Sequence, residues 1–475
     1  MPVAEEVLAL ARVQAYAAGR AVVTTGSQQA QIDPDAAIVA PLKMAGEERV
    51  WAAAFGRRNG NVQIVVAGDP RNRDDETESV LAPLAAFLDR YFNECWSEER
   101  APQVWVASGA TVRLLDALGD RRNSKDQWVS LLGRHAWFLS DRVGHAGQHV
   151  LLSATDVLTQ HFATGQSEFE DQHLGALLAW LEPQPNGSAH ESARAAEELP
   201  AGIQTDVIRI DMALDERLQE LGRLRREEQA GERQRQIVAD VQALVAPEAN
   251  RVYGLIERSI GVLERQELPL LPSIDDLRDD DARSFAFYMG REFIPVNFSD
   301  KESAQQLAMR EKSLEKAEMV LLRGDGRQQR VAKELGEVLD GKVVQLVEGS
   351  REGSIHRVVI ESPQEVSKLR PGDVMRVGVL ENIELQLVDV QAPDGHGTRP
   401  MSFLVKTGKT KIAPYAGKVV RLFPGSGGGW DGGILRILSE VHDAHPWVLD
   451  RDQPVPEPTG HDSPADPLGA LEELR

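Results

Sequence analysis

The apolar residues of this chain change their spacing near Gly341, and this change constrains the fold more than any other feature of the sequence. Before Gly341 they recur mostly at helical spacing, and after it they alternate with polar residues as in strands. Turn segments rich in Gly and Pro separate several of the later runs. Strands are predicted at 343–347, 357–360, 373–379, 383–390, 402–406, 418–423 and 434–438. Such short strands predict a small barrel or sandwich, a β-barrel-like module over residues 341–449.

Residues 1–182 carry a mixed pattern of strands and helices. The turn signal GRRNG at 56–60 predicts a hairpin between the second and third strands. Ser153 or Thr155 is expected to cap a helix that starts there. Strands are predicted at 36–42, 49–55, 61–67, 104–107 and 149–153, and helices at 1–20, 78–95, 111–118, 128–142 and 174–181. This order predicts an α/β N-terminal domain in a multidomain α+β protein.

The region between these two modules divides into a linker and a helical part. Residues 183–208 are rich in Pro, Ala, Ser and Glu, which predicts a linker. Residues 209–340 are predicted to be helical, with a separate helix at 252–263 and an apolar stripe formed by Leu214, Leu218, Leu221 and Leu224. The stripe fits either a helical bundle within one chain or a coiled coil that joins a second copy or another partner. Residues 450–475 form an acidic tail that is predicted to be disordered.

The charge of the chain limits how it can meet nucleic acid. Lys and Arg number 53 against 74 Asp and Glu, a net charge of −21, so a protein that coats nucleic acid with its whole surface is excluded. The single cysteine, Cys95, excludes an internal disulfide and a zinc site built from several cysteines. The first 20 residues do not fit a signal peptide, and no apolar run reaches the ~18–20 residues that span a bilayer. A cytoplasmic location without membrane attachment is expected.

Several motifs resemble catalytic or metal sites but lack a required part. Residues 407–410 read TGKT, like the end of a phosphate-binding loop, but position 403 is Phe, and Pro414 opposes the helix that should follow. A plain strand-to-turn segment is therefore expected there. The His and Asp residues between 135 and 173 match no ligand spacing, and His442 and His445 have no third ligand nearby. We predict no catalytic residue, no metal and no cofactor.

Two stretches of the N-terminal domain carry a resemblance to a known fold. VQIVVAGDPRNRDDETESVLAPLAAFLDRYF and PQVWVASGATVRLLDAL resemble strand–helix pairs of ribonuclease-H-like 3′–5′ exonuclease domains, including those fused to bacterial superfamily 1 helicases. The resemblance covers residues 30–180 and implies that fold, with Asp and Glu residues holding two metal ions. The strand at 36–42 lacks the Asp-x-Glu pair of those enzymes, and Asp156 alone matches a late acid. The resemblance therefore implies a degenerate nuclease domain that binds or scaffolds.

A local reversal of charge marks the β-barrel-like module. Between Asp394 and Asp431 the sequence has six basic residues and no acidic one. An acidic protein needs such a window to bind a phosphate backbone, although lysines on the solvated face of strands are the alternative. The turns RPGD and YAGK resemble those of small accessory barrels in superfamily 1 helicases. The nucleic-acid-binding candidates are Arg399, Lys406, Lys409, Lys411, Lys418 and Arg421.

The extreme C-terminus offers a candidate for docking to a partner. Leu468, Leu471 and Leu474 fall on about one helical face, which suits a short helix in a partner groove; a frayed terminus is the alternative. Together these patterns favour a non-catalytic accessory or scaffold subunit that works with a helicase or nuclease on DNA or RNA, in repair or genome defence. Two alternatives stay open. One is a metal-dependent nuclease using the group at 135–173, and the other is a structural assembly protein, for which a homo-oligomer is suited.

Overall fold

The structure is a computed structural model of the chain. One compact unit comprises residues 1–296 and 310–427, and a second comprises 297–309 and 428–475. The described part of the second unit is limited to Phe298 and the start of one helix. The described residues are 5–44, 49–182, 188–226, 231–272, 274–291, 293–295, 298, 300–351, 353–364, 367–378, 383–393 and 397–425.

Helices and strands alternate as far as β7, at Phe162–Ala163. Helices then follow one another as far as Glu334, and strands dominate the last described region, from Leu339 to Pro424. The helices are α1 Glu5–Ala18, α2 Arg73–Glu76, α3 Ala82–Ser97, α4 Gly109–Gly119, α5 Gln127–Val143, α6 Ala154–His161, α7 Leu174–Leu181, α8 Ala189–Glu197, α9 Ala213–Arg226, α10 Glu232–Glu264, α11 Ile274–Met289, α12 Asp300–Gly324 and α13 Gly326–Glu334. The strands are β1 Val22–Val23, β2 Ala37–Lys43, β3 Val50–Arg57, β4 Gln63–Val66, β5 Val104–Val106, β6 Leu151–Ser153, β7 Phe162–Ala163, β8 Leu339–Glu348, β9 Ile355–Ser362, β10 Val374–Val377, β11 Glu384–Val390, β12 Arg399–Thr407 and β13 Val419–Pro424.

A five-stranded sheet organises the N-terminal domain, in the order β4-β3-β2-β5-β6. β2, β3 and β4 are antiparallel neighbours, whereas β5 and β6 run parallel to β2. The predicted hairpin is confirmed, and Asn59 in its turn has a φ of 58°, a left-handed conformation that Asn tolerates. Every residue from Val50 to Gly56 is buried, because helices cover both faces of the sheet.

The helices on the two faces come from distant parts of the sequence. On one face, α3 packs beside α5 and α11, where Phe138 stacks on Tyr288 with ring centroids 4.4 Å apart. On the other face, α10 packs against β2, β3 and β4. Residues of α9, α10 and α11 therefore belong to the same hydrophobic core as the sheet. A smaller cluster within the helical region itself contains Leu271, Ile274, Leu277 and Val320.

The predicted leucine stripe is used inside this core. Leu214, Leu218, Leu221 and Leu224 are all buried among residues of the sheet and of α10. The alternative of a coiled coil with a second copy or partner therefore lacks its apolar surface. The single-chain interpretation of the stripe agrees with the structure.

The segment predicted as a linker contains a helix. Ser188 caps α8 in a capping box: its hydroxyl accepts from the Glu191 amide, and the Glu191 carboxylate accepts from the Ser188 amide. Ala189 and Ala193 pack against Trp180 in a small core cluster. Composition alone suggested a linker over 183–208, but small alanine side chains allow close packing of α8 on α7.

The predicted β module is confirmed as a closed barrel of six antiparallel strands, in the order β10-β11-β12-β9-β8-β13. Alternate residues of its strands, such as Leu385 and Phe403, fill its interior. Closure leaves no strand edge unpaired among these six. The seventh predicted strand, at 434–438, lies outside the described residues. No helix in the described part of the chain has the length and apolarity that crossing a membrane requires.

A buried carboxylate joins the N-terminal domain to the helix that precedes the barrel. Asp325 is fully buried and caps α13 through the backbone amide of Arg327, at 2.7 Å. The same carboxylate accepts hydrogen bonds from the Thr25 hydroxyl and the Gly26 amide, both at 2.7 Å. The start of the barrel module is therefore fixed to the N-terminal domain.

Candidate nucleic-acid interface

The connection between β12 and β13 crosses one end of the barrel and is anchored to it. Ile412 is fully buried in the barrel core. The amide of Ile355 donates to the Lys409 carbonyl at 2.9 Å, and the amide of Val343 donates to the Lys418 carbonyl at 3.0 Å. These contacts fix the backbone of the segment, so a ligand that binds there does not have to order the backbone.

Four of the predicted basic residues lie at the end of β12 and along this connection. Lys406, Lys409, Lys411 and Lys418, which we call the lysine quartet, are all exposed. Nowhere in the described ranges does any of them form a salt bridge; the Lys418 ammonium lies over the Tyr415 ring, 5.9 Å from its centroid. The quartet is thus a concentration of positive charge that no described carboxylate pairs with directly, and it is chemically suited to phosphates.

The other two basic candidates are placed differently. Arg421 donates to both carboxylate oxygens of Asp340, at 2.6 and 2.9 Å, and to Gln329 at 2.7 Å. These hydrogen bonds are the main reason why the pKa of Asp340 lies below its ordinary value. Arg399 begins β12, at the opposite end of that strand from Lys406. Four of the six predicted residues therefore lie exposed on the stretch 406–418, whereas Arg399 and Arg421 are placed elsewhere on the barrel.

Residues 407–410 form the end of a strand and a turn, as predicted. β12 ends at Thr407, and the Lys411 amide donates to the Gly408 carbonyl at 2.8 Å. Gly408 has a φ of 73°, which glycine adopts without strain. The next element is the three-residue helical turn Ala413–Tyr415, whereas a phosphate-binding loop leads into an α-helix. Lys409 therefore offers a point charge and is not part of such a loop.

The carboxyl ends of β2, β5 and β6 define a second region of interest. The Thr155 amide donates to the Ala107 carbonyl at 3.2 Å, which joins the ends of β5 and β6. Ser153 caps α6 by accepting from the Asp156 amide at 3.4 Å, so the predicted cap is confirmed. Asp156 lies beside the start of α4, about where the sequence suggested a late acid. β2 itself carries no acid.

Glu76 is a second acid at this edge, and sequence patterns did not single it out. It is fully buried, and its Oε1 accepts from the Val50 amide at 3.0 Å and lies 3.5 Å from Arg121. Its Oε2 is buried without a hydrogen-bond partner. One signal was present: Glu76 continues, at spacing four, the buried stripe of Val80, Leu84 and Leu88. The predicted helix began at 78 and therefore missed it.

The His and Asp residues at 135–173 do not form a cluster. Among the described residues, no three His, Cys, Asp or Glu side chains are arranged to hold a metal ion. Burial lowers the pKa of all five histidines of this group, that of His145 to about 4. Their contacts are separate: His135 with Tyr288, His145 with Asp141, His149 with Asp281, His161 with Gln29 and Val157, and His173 with Leu199 and Ala176; Asp171 binds Thr164.

The remaining sequence candidates are either buried or not described. Cys95 is fully buried, and burial raises the pKa of its thiol to about 11, so it is a protonated core residue. His442, His445, Leu468, Leu471 and Leu474 lie outside the described residues, as does the glycine-rich segment after Gly425. The predicted C-terminal docking helix therefore stays a prediction.

The fold and the site together define an α+β protein with a basic barrel end and a sheet edge at which no three described His, Cys, Asp or Glu side chains are arranged to hold a metal ion. Comparisons of the chain with protein-family models, with curated proteins and with solved structures give no match.

Proposed function

We propose that this chain is a non-catalytic accessory subunit of a nucleic-acid-processing assembly and that it binds DNA or RNA through the lysine quartet. The observation that carries the proposal is the quartet itself. Its exposed ammonium groups make no salt bridge within the described chain, although the protein has 74 acidic residues. Phosphate contacts gain free energy from counterion release, so a few adjacent lysines suffice for salt-dependent binding.

For the N-terminal domain we infer a degenerate ribonuclease-H-like fold. Three antiparallel strands come first in this sheet, and the first of them, β2, lies at its centre. β5 and β6 follow, each after a helix, and run parallel to β2. This arrangement supports the resemblance to exonuclease domains fused to helicases. Fold analogy alone does not assign a function, so a helicase or nuclease partner remains part of the proposal.

The acids at the sheet edge support a role without nuclease chemistry. Two-metal hydrolysis needs several carboxylates around two ions about 3.5–4 Å apart. β2 supplies none, Glu76 is held by Val50 and Arg121, and Asp156 belongs to the first turn of α6. A binding or scaffolding use of this domain follows from that chemistry.

We expect the purified full-length protein to degrade no DNA or RNA in a metal-dependent way. Labelled single-stranded DNA, duplex DNA and RNA would be incubated with Mg²⁺ or Mn²⁺, with EDTA as the control, and the products resolved on gels. Since Asp156 and the buried, engaged Glu76 do not supply the several carboxylates that hold two ions, the metal and EDTA lanes should be identical. Degradation that needs metal and is abolished by Asp156→Asn or Glu76→Gln would overturn the non-catalytic proposal.

Binding of the wild-type protein to a labelled oligonucleotide should weaken steeply with salt. Each phosphate contact contributes about 0.7–0.9 to the slope of log K against log salt, so four lysines give a slope of about −3. Fluorescence anisotropy from 50 to 300 mM KCl would measure it for DNA and RNA. Absence of binding to every oligonucleotide at 50 mM, or binding indifferent to salt, would contradict the proposal.

A further inference from the structure

Two phenylalanine rings are exposed at the end of α11 and just after it. Phe287 is 63% exposed and Phe293 is 65% exposed, whereas the rings of Phe285 and Tyr288 on the same helix are buried. Single exposed apolar side chains are common, but exposed apolar groups that lie together mark candidate binding surfaces. These rings belong to the N-terminal domain and are separate in the chain from the lysine quartet.

Phe287 carries a guanidinium group on one face. The Arg291 Cζ lies 4.1 Å from the centroid of the Phe287 ring, a close cation–π contact. The large exposed fraction of Phe287 leaves the rest of the ring open to solvent. Within the described ranges no carboxylate forms a salt bridge with Arg291, so its N–H donors have no acidic partner there. An open aromatic ring therefore lies directly beside a positive charge.

The backbone of this segment is fixed on both sides of Phe293. The Arg134 guanidinium donates to the Arg291 carbonyl at 2.8 Å. Ile294 is 1% exposed and belongs to the main hydrophobic core. Arg122 donates to the Pro295 carbonyl through Nη2 at 2.6 Å and through Nε at 3.2 Å. A ligand that stacks on these rings therefore does not have to order the backbone that carries them.

Arg134 adds a second positive charge to this surface. It forms no salt bridge with any described residue, and its Nε is buried without a hydrogen-bond partner. Asp89 lies nearby, but its carboxylate already accepts from His135 and from Asn93. The hydrogen bond from His135 is the main reason why the pKa of Asp89 is lowered, and the charge of Arg134 contributes less. Two guanidinium groups are thus offset by one carboxylate that is already bound.

We propose that Phe287, Phe293, Arg291 and Arg134, which we call the aromatic–arginine surface, bind unpaired bases of a single-stranded nucleic acid. Every base has a π-face that stacks on an aromatic ring, and arginines beside the rings meet the phosphates. The charge favours this occupant, because a phosphate backbone complements the guanidinium groups, whereas an apolar protein face would leave them without acceptors. The inference rests on the proposed function and adds to it a site for single strands.

Anisotropy titrations of the full chain with a labelled single strand, and with the duplex of the same sequence, test the proposal. Phe287→Ala with Phe293→Ala should weaken single-strand binding about 10- to 100-fold, because two stacked bases lose their rings. Duplex binding should not change, since paired bases are already stacked on their neighbours. The salt slope should also stay the same, because no charge is removed. Arg291→Gln should instead flatten the single-strand slope by about 0.7, the contribution of one phosphate contact.

Phe169→Ala is the matched control. Phe169 is 88% exposed, but its neighbours in the sequence are Glu168 and Glu170, which repel phosphates. This variant should bind the single strand like the wild type. Should the double variant fail to fold, Phe287→Ala alone and Arg291→Gln decide the question.

Three results would overturn the aromatic–arginine surface while the proposed function stands. They are salt-dependent wild-type binding that the phenylalanine and arginine variants leave unchanged, equal losses on single strand and duplex, and an equal loss in Phe169→Ala. The first would assign the exposed rings to a protein partner instead. A wild-type protein that binds no oligonucleotide would contradict the proposed function itself and this inference with it. The two failures are therefore distinguishable.

Discussion

Reversing three charges of the quartet, with Lys406→Glu, Lys409→Glu and Lys411→Glu together, should weaken oligonucleotide binding about 100- to 500-fold at 0.1 M salt. Each lysine that contacts a phosphate contributes about 0.7–0.9 to the salt slope, so three lost contacts flatten the slope by about two to three. Over the tenfold range from 1 M to 0.1 M salt, a slope that is flatter by two to three lowers the association constant by two to three orders of magnitude. Anisotropy titrations of both proteins at several KCl concentrations measure both quantities.

The matched control changes the net charge by the same amount at other exposed sites. The control variant combines Arg20→Glu, Lys125→Glu and Arg235→Glu. Arg20 follows α1, Lys125 precedes α5 and Arg235 lies on α10, and all three residues are exposed. If the quartet makes local phosphate contacts, this variant should keep its salt slope, because long-range charge effects are screened beyond about 10 Å. Equal losses in the two variants would mean that net charge alone governs binding and would remove the quartet as a site.

The strands of both modules could be predicted because burial of one or both faces of a sheet gives a recognisable pattern of apolar residues along each strand. The apolar run predicted at 104–107 is β5, Val104–Val106, and every residue of it is buried. In the barrel, inward residues such as Leu385 and Leu387 alternate with more exposed ones. The pattern fixes which residues face the core, whereas the partner of each strand depends on contacts between distant segments.

Helices were harder to delimit where tertiary packing overrides a local rule. A break was expected between 245 and 252, but α10 continues through Pro247. Proline removes one backbone hydrogen bond and usually kinks or ends a helix. Here residues on both sides of it, Val241 and Val252, are buried in the same core, so continuing the helix buries both. Local sequence could not reveal that shared core.

The candidate site, too, depends on contacts between distant segments that local sequence does not reveal. The lysines of the quartet were visible in the sequence, but their lack of salt bridges depends on which carboxylates fold close to them. Arg421 looked equivalent to them and is instead bound to Asp340, 81 positions away. The hydrogen bond from the His149 amide to Asp281 on α11 likewise joins residues 132 positions apart. Contacts of this range leave no mark in residue spacing.

Asp281→Ala should lower the free energy of unfolding by about 3–5 kcal/mol, as expected when one partner of a buried ion pair is removed. Asp281 on α11 and Arg142 on α5 are 1% and 7% exposed, and their side chains are joined at 2.8 Å. Burial raises the pKa of Asp281 even though Arg142 pulls it down. Without this carboxylate the guanidinium stays buried and the His149 amide loses its acceptor. Urea unfolding followed by tryptophan fluorescence measures the loss.

Asp280→Ala is the control on the same helix. Asp280 pairs with Arg283, which is exposed, and with Lys316, which is half-buried, so its loss should cost less than that of Asp281, about 1 kcal/mol. The double variant Arg142→Met with Asp281→Leu removes both charges and should recover most of the stability, because no buried ion is left unpaired. If the double variant is instead as unstable as the sum of its single changes, the two side chains do not act as a pair. α5 and α11 would then be held together by the aromatic contact of Phe138 with Tyr288 and its neighbours rather than by this ion pair.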